Sequence, residues 1–463
     1  MTATRVPARA RVLLIVGEPI SERLAGPAIR AWEIARALTA RHHHVTIASS
    51  RSVSREGEGF RVVEFRADNA EALVDECDVV VFQGGFYNTV PWLAVRPQVQ
   101  VMDLYDPFHL EFLGRQHGFD RDQETRVVSE LTKELNAQLA RADLVLCAND
   151  RQRDLWIGQL AALGRVRPHN GTEDGTIDDL VRIAPFGVTG QAFEPTPGAL
   201  RGKVEGIGAD DFVLVWGGGI YDWFDPMTLI RAVDVARHEV PELRLFFMAK
   251  VHPNAMLDGH AVPDQAVALA RELGILGTHV VFNEEWVPYD ERAGYLAEAD
   301  IGVTTHPAGL ETRFSFRTRN LDYLWAGLPI ITSEGDVFAD LVERRGNGLT
   351  VPVGDVDALA AAIVRAAQDS SAREAWAAAS RELAAEMTWD RVLAPFLEFL
   401  DAPVRSEVPI WNMVEDPPPL PARTRRDDLV TFAKLLREGG PRLVTERIRD
   451  RVRRDALRVV GRR

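Results

Sequence analysis

Two α/β units, each a doubly wound, Rossmann-like parallel sheet covered by helices and facing the other across a cleft, are the fold this sequence predicts. Three observations carry that expectation. Short apolar runs ending in glycine or polar residues alternate with longer stretches of helical period, as a parallel sheet and its covering helices do. The alternation occurs twice along the chain. With 463 residues, the chain also exceeds what one hydrophobic core organises.

In the first half, RVLLIVG, HVTIASS, FRVVEF, DVVVFQGG, VQVMDL and ADLVLCAND read as strands, and GPAIRAWEIARALTA as a helix opened by Gly26 and Pro27. In the second, FVLVWGGG, LRLFFMAK, HVVFNEE, ADIGVTTH and LPIITSE are strands, with room between them for helices around Pro226 to His238, Pro263 to Leu273, Tyr289 to Ala297 and Thr318 to Ala326. The halves meet in RIAPFGVTGQAFEPTPG, where a short strand gives way to glycine and proline, so the domains are drawn at 1–188 and 189–400. VDALAAAIVRAAQ and AREAWAAASRELAAEM are helices, and TWDRVLAPFLEFL is a last helix that either ends the second domain or crosses back to the first. Residues 401–422 are a proline-rich linker without strand or helix period. Residues 423–463 form a basic, amphipathic helical tail broken at Gly439, Gly440 and Pro441.

Composition narrows the classes. The hydrophobic fraction of 46% and charged fraction of 26% exclude a disordered or collagen-like chain. A formal net charge of -14 argues against a nucleic-acid partner. The charge is uneven: from Arg423 onward 14 Arg and Lys face 6 Asp and Glu, about +8, leaving about -22 on the rest. Cys77 and Cys147 lie at the ends of apolar stretches without a paired spacing, as buried thiols of a reducing compartment can, so a cytoplasmic location is expected. The apolar run Val12 to Val16 is too short for a signal-peptide core, and no segment approaches the ~20 apolar residues of a membrane span.

In open parallel sheets, ligands collect at the carboxyl ends of strands. The most informative such segment is HPAGLETRFSFRTRNLDYLWAGLPIITSEGD. Asp322 on a helix, then Gly327 and Pro329, then the strand IIT, resembles the donor-binding segment of retaining GT-B glycosyltransferases, the family 4-like "glycosyl transferases group 1". The resemblance implies that Asp322 accepts hydrogen bonds from two ribose hydroxyls of a nucleotide-sugar donor, as a carboxylate can. The family has a first acidic residue eight positions earlier; Phe314 stands there, and the nearest acid is Glu311. Arg317 and Arg319 suit a diphosphate at a helix start, or are solvated charges on a surface helix. Gly217, Gly218 and Gly219 after FVLVW let backbone amides approach a ligand. The arginine and lysine that many relatives place in that loop are missing, which leaves the later arginines, or Lys250 after LRLFFMA, to neutralise phosphate. Lys250 reads equally as a surface lysine.

In the first domain the loop before Gly26 resembles the one that brings backbone amides near the donor phosphates. Arg30 either points into the cleft one turn along or decorates its helix. VMDLYDPFHLE gathers Asp103, Asp106, His109 and Glu111 after a strand. Relatives carry a histidine here that lines the donor-sugar pocket, and the resemblance assigns that role to His109. His42, His43 and His44 are expected at the surface, His44 partly buried. No Asp-x-Asp pair stands in a loop after a strand, so no metal and no cofactor are expected.

The reading is therefore a retaining glycosyltransferase working in cell-surface polysaccharide or glycoconjugate synthesis. Its partners are a nucleotide sugar and a glycan, lipid-linked or small-molecule acceptor. A sugar-nucleotide epimerase and a non-catalytic nucleotide-sugar or glycan-binding scaffold are the alternatives. The tail is read as a peripheral anchor to an anionic membrane, its apolar residues Leu429, Phe432, Leu435, Leu436, Leu443, Val444, Ile448, Val452, Leu457 and Val459 recurring at helical spacing. The other reading packs that face on the enzyme's own acidic body or on a second subunit of a homo-oligomer.

Overall fold

The computed structural model describes residues 9–22, 24–113, 119–166, 177–194, 198–250, 261–284, 286–288 and 291–403, and in the tail 432–433, 436–437, 441, 444–453 and 456. Most of the expected linker, and Leu429, Leu435, Leu443, Leu457 and Val459 of the tail, lie outside the described residues.

The expected fold class is observed. The first sheet comprises β1 (Arg11–Val16), β2 (His44–Ser49), β3 (Arg61–Glu64), β4 (Val79–Gln83), β5 (Val99–Asp103), β6 (Leu144–Cys147) and β7 (Val181–Ile183). The strands are all parallel, in the order β3-β2-β1-β4-β5-β6-β7. Their Val, Leu and Ile runs are what a sheet covered on both faces requires. Along β1, Val12, Leu14 and Val16 pack on one side with Ala28 and Trp32 of the helix Gly26–Ala40. Leu13 and Ile15 pack on the other with Phe82, Leu135 and Trp156.

The second sheet has β8 (Phe212–Trp216), β9 (Leu243–Phe247), β10 (Val280–Phe282), β11 (Ile301–Thr304), β12 (Ile330–Ser333) and β13 (Gly348–Val351), parallel in the order β10-β9-β8-β11-β12-β13. β13 is absent from the sequence reading. It is a four-residue edge strand with three half-buried positions, too short and mixed to show period. The order reverses direction beside β1 and beside β8, the switch points at which such sheets hold ligands.

The chain crosses between domains twice, side by side. After β7, Val188 forms a parallel bridge with Thr388: its amide donates to Met387 O at 2.7 Å, and Trp389 N donates back to Val188 O at 3.1 Å. A Cβ on Gly187 would sit 2.7 Å from the Trp389 backbone, so only glycine fits at this crossing. The helices Trp389–Val392 and Ala394–Asp401 then lie on the first domain, where Arg182 donates to Pro395 O at 2.5 Å. The last helix therefore crosses back. On the opposite side, Arg151 binds Asp340 at 2.6 Å and Gly335 O at 2.7 Å, and the Gln152 amide donates to both Tyr105 O and Phe314 O at 2.7 Å. The two domains are thus held closed against each other. Among the described residues no helix is long and apolar enough to cross a membrane. Of the three consecutive histidines it is His43, not His44, that is buried: His42 takes a left-handed φ of 66°, which turns the next ring inward, where its Nδ1 accepts from Ala10 N at 3.2 Å.

Candidate functional site

The carboxyl ends of the two sheets face a cleft of about 610 Å³, and residues of both domains line it. From the second domain come Gly217, Gly218, Gly219, Glu311, Arg317, Arg319 and Asp322; from the first, Gly26, Asp106 and Glu111. Aromatic rings form much of the wall, among them Tyr221 and Trp223, stacked at 4.9 Å, and Trp325. Sequence reading did not single out these rings; their density in IYDWF was the available signal.

Asp322 stands in the helix Arg319–Trp325. Arg292 Nε donates to its Oδ1 at 3.0 Å, and the carboxylate remains 37% exposed, so acceptor capacity is left facing the cleft. Beneath the helix lies Tyr323, which sequence reasoning missed. Its hydroxyl accepts from Gly217 N at 2.7 Å and lies 3.1 Å and 3.0 Å from the carbonyls of Val215 and Val303. A Cβ on Gly302 would come within 2.3 Å of its ring. The isolated glycine inside ADIGVTT was therefore the trace of a close approach. Since Tyr323 occupies the Gly217 amide, any ligand contact by this loop falls to Gly218 and Gly219.

The two arginines have different situations. Arg317 is buried and holds Glu311 with two bonds, of 2.9 Å and 2.7 Å, so its charge is already compensated. The extended residue Ser315, between the helices Leu310–Phe314 and Arg319–Trp325, turns Arg317 back onto Glu311. Arg319 has no carboxylate partner among the described residues. Its guanidinium lies over Trp216 at 4.5 Å and Phe224 at 3.7 Å, and donates to Gly219 O at 2.8 Å. Burial lowers its pKa to about 10, which still leaves it charged at neutral pH. Phe314, at the expected first acidic position, presents its carbonyl to Gln152 of the other domain, while Glu311 reaches the cleft three residues earlier.

Three of the candidate residues are not among those that line the cleft. Arg30 does not reach the cleft: it is fully buried, with Nε and Nη2 each 2.7 Å from Asp103, and donates to Ala184 O and Pro185 O at 2.8 and 2.9 Å. Tyr105 covers its guanidinium at 4.8 Å. The charge that tempts a phosphate assignment is consumed in tying β5 to the interdomain crossing. His109 is not among the lining residues either; its ring packs 6.0 Å from Trp156, and burial lowers its pKa to about 4, so it is neutral. Lys250 pairs instead with acids, 3.5 Å from Glu284 and 3.7 Å from Asp264.

What the first domain does offer the cleft is Asp106 and Glu111, from the same loop as His109. Burial, then the hydrogen-bonded Glu111 and the nearby Glu311, raise the Asp106 pKa well above the carboxylate range, with Arg317 opposing. A carboxyl pair sharing a proton can both donate to and accept from a hydroxyl. Among the described residues no group of three or more His, Cys, Asp or Glu side chains is placed to hold a metal ion.

Two Rossmann-like domains facing each other across a cleft define the GT-B fold, and solved structures agree. Anabaena HepE, solved with UDP-glucose, is 16% identical with a TM-score of 0.62 over 84% of this chain and 99% of that one. WaaG, a glycosyltransferase involved in lipopolysaccharide biosynthesis, is 18% identical with a TM-score of 0.58 over 83% and 98%. Residues 213–369, within the second domain, match the family "Glycosyl transferases group 1". By sequence the chain is similar to D-inositol 3-phosphate glycosyltransferases of Thermobispora bispora, 28% identical over 218 residues, and Saccharomonospora viridis, 26% over 277 residues. These matches cover 47% and 60% of this chain; it spans about half the length of these relatives, 49% and 58%.

Proposed function

We propose that the protein is a retaining glycosyltransferase that moves a hexosyl unit from a nucleoside-diphosphate sugar to a glycan, lipid-linked or small-molecule acceptor in cell-surface polysaccharide or glycoconjugate synthesis. One observation carries the reading. In the segment matching the group 1 family, Asp322, Gly218–Gly219 and Arg319, which has no carboxylate partner among the described residues, line one cleft at a topological switch point. Uridine diphosphate sugars are the first donors to test, because HepE, similar in fold, was solved with UDP-glucose.

In this reading Asp322 takes the ribose hydroxyls, and Arg319 with the Gly218–Gly219 backbone takes the diphosphate. As the bond from the anomeric carbon to the leaving phosphate oxygen breaks, charge accumulates there, and preorganised positive groups provide the main stabilisation. The acceptor oxygen attacks from the same face, and its proton passes to the departing phosphate. Hydroxyl recognition falls to Asp106 and Glu111 in place of His109. The Arg317–Glu311 pair fixes the loop that carries Arg319. No metal takes part, and the buried thiols of Cys77 and Cys147 suit a cytoplasmic setting.

The test is a thermal-shift panel of nucleotide sugars, since a ligand selective for the folded state raises apparent stability. The stabilising donor is then incubated with candidate acceptors. Acceptor-dependent release of nucleoside diphosphate supports transfer. Epimerised sugar nucleotide without diphosphate release, or binding without turnover, overturns it.

A further inference from the structure

Residues 444–453 form a helix that returns to the first domain. Val444 is buried, and Asp450 is ion-paired with Arg51. Arg453 donates to the carbonyls of Arg51 at 3.1 Å and Phe65 at 3.2 Å, and lies 3.5 Å from the Glu64 carboxylate. These partners follow or end β2 and β3, at the same edge of the sheet whose loops line the cleft. Arg51 Nε in turn donates to Gly17 O at 3.3 Å, and the next residue, Glu18, lines the cleft. The helix is therefore seated beside the first-domain lip of the site.

Its outward face has a different chemistry. Ile448 and Val452, one turn apart, are 56% and 63% exposed. Arg449 and Arg451 beside them are exposed as well, whereas Asp450, between the two arginines in sequence, is turned inward onto Arg51. The pattern recurs earlier in the tail: Phe432 and Leu436, also four apart, are 47% and 40% exposed, next to the exposed Arg437. Cations and large apolar side chains thus share the free side, while an acid that would repel an anionic surface is spent on the body.

We propose that this outward face of the 444–453 helix docks on an anionic lipid bilayer and holds the first-domain lip of the cleft at the membrane surface. Two apolar side chains cannot supply the ~1,000 Å² that a stable protein interface needs. Shallow insertion of an apolar pair flanked by arginines is, in contrast, how an interfacial helix binds lipid. The tail's net charge of about +8, against about -22 elsewhere, points the same way. Docking stands on the helix alone; its use in presenting a lipid-linked acceptor rests on the glycosyltransferase reading.

The experiment is co-sedimentation of the full chain with vesicles of phosphatidylcholine alone and of phosphatidylcholine with phosphatidylglycerol. It compares the parent with Arg449→Glu/Arg451→Glu and with Ile448→Ser/Val452→Ser, all at exposed positions. The parent should pellet with the anionic vesicles only. Each arginine removed should weaken binding about fivefold, so the charge-reversed pair loses at least about 25-fold. The serine pair should also bind more weakly, with unchanged circular dichroism in both variants. Equal pelleting of parent and variants, no preference for anionic lipid, or a dimer in light scattering that the serine pair dissociates would each overturn the proposal. Nucleotide-sugar binding by the same variants is expected to stay at the parent level, which separates failure of docking from failure of the cleft reading.

Discussion

Arg30→Met keeps a side chain of similar length in the helix Gly26–Ala40 and removes the charge that Asp103 faces. Both partners are fully buried, so Asp103 is left as an enclosed carboxylate with one remaining bond, from the Gln83 amide at 3.3 Å. The carbonyls of Ala184 and Pro185 lose their donor as well. Breaking a buried, hydrogen-bonded ion pair on one side costs about 3–5 kcal/mol. In a unit of roughly 150–250 residues, each kcal/mol moves the melting temperature by about 2–4 °C, so a drop of roughly 6–20 °C is expected. Differential scanning calorimetry measures it. The double variant Arg30→Met/Asp103→Leu, in which no charge is stranded, should recover much of the loss. A melting temperature within about 2 °C of the parent, with donor affinity collapsing instead, would refute the structural role and return Arg30 to the cleft.

Further outcomes can be read from the same geometry. Because its surroundings raise the Asp106 pKa, the proton it shares with Glu111 is present below that raised value and lost as pH rises through it; kcat/KM should fall on the alkaline side. Asp106→Asn should retain more activity than Asp106→Ala and flatten that limb, and two equally inactive variants would exclude the role. Cys77 and Cys147, each with a thiol pushed up to about 12 by burial, should resist alkylation at neutral pH until the chain is unfolded. Mass spectrometry of the native protein showing rapid labelling of either would contradict their burial. Transfer should persist in excess chelator, and activity lost there but restored by manganese or magnesium would put a metal into the mechanism.

Much of this was legible in the sequence because parallel strands buried on two faces leave unbroken Val and Ile runs, because Gly26-Pro27 marks a helix start by local chemistry, and because the segment around Asp322 resembles a known family's. β13 was not, since a four-residue edge strand with three half-buried positions has no period to detect. The cleft was legible by position but not by orientation. Asp322 and Arg319 line it, while Arg30, on an equally suggestive helix, turns inward because a buried carboxylate awaits it 73 residues later. Likewise, the loop after β5 was legible but not which of its members lines the cleft: Asp106 and Glu111 do, whereas His109 packs on Trp156. Which residue of a short helix faces the ligand depends on what packs behind it, and that partner is distant in sequence. Tyr323 was hidden for the same reason, although Gly302 carried its imprint.

The central claim is that this cleft holds a nucleotide sugar by its ribose at Asp322. Titration calorimetry of the parent and Asp322→Ala with the donor found by thermal shift tests it most directly. The carboxylate is partly exposed, so the variant should fold and keep its secondary structure. Losing charge-assisted bonds to ribose hydroxyls removes about 1.5–3 kcal/mol, so the dissociation constant should rise roughly 10- to 150-fold. The account predicts that rise together with an unchanged melting temperature of the unliganded protein; donor binding of equal strength in parent and variant would contradict it.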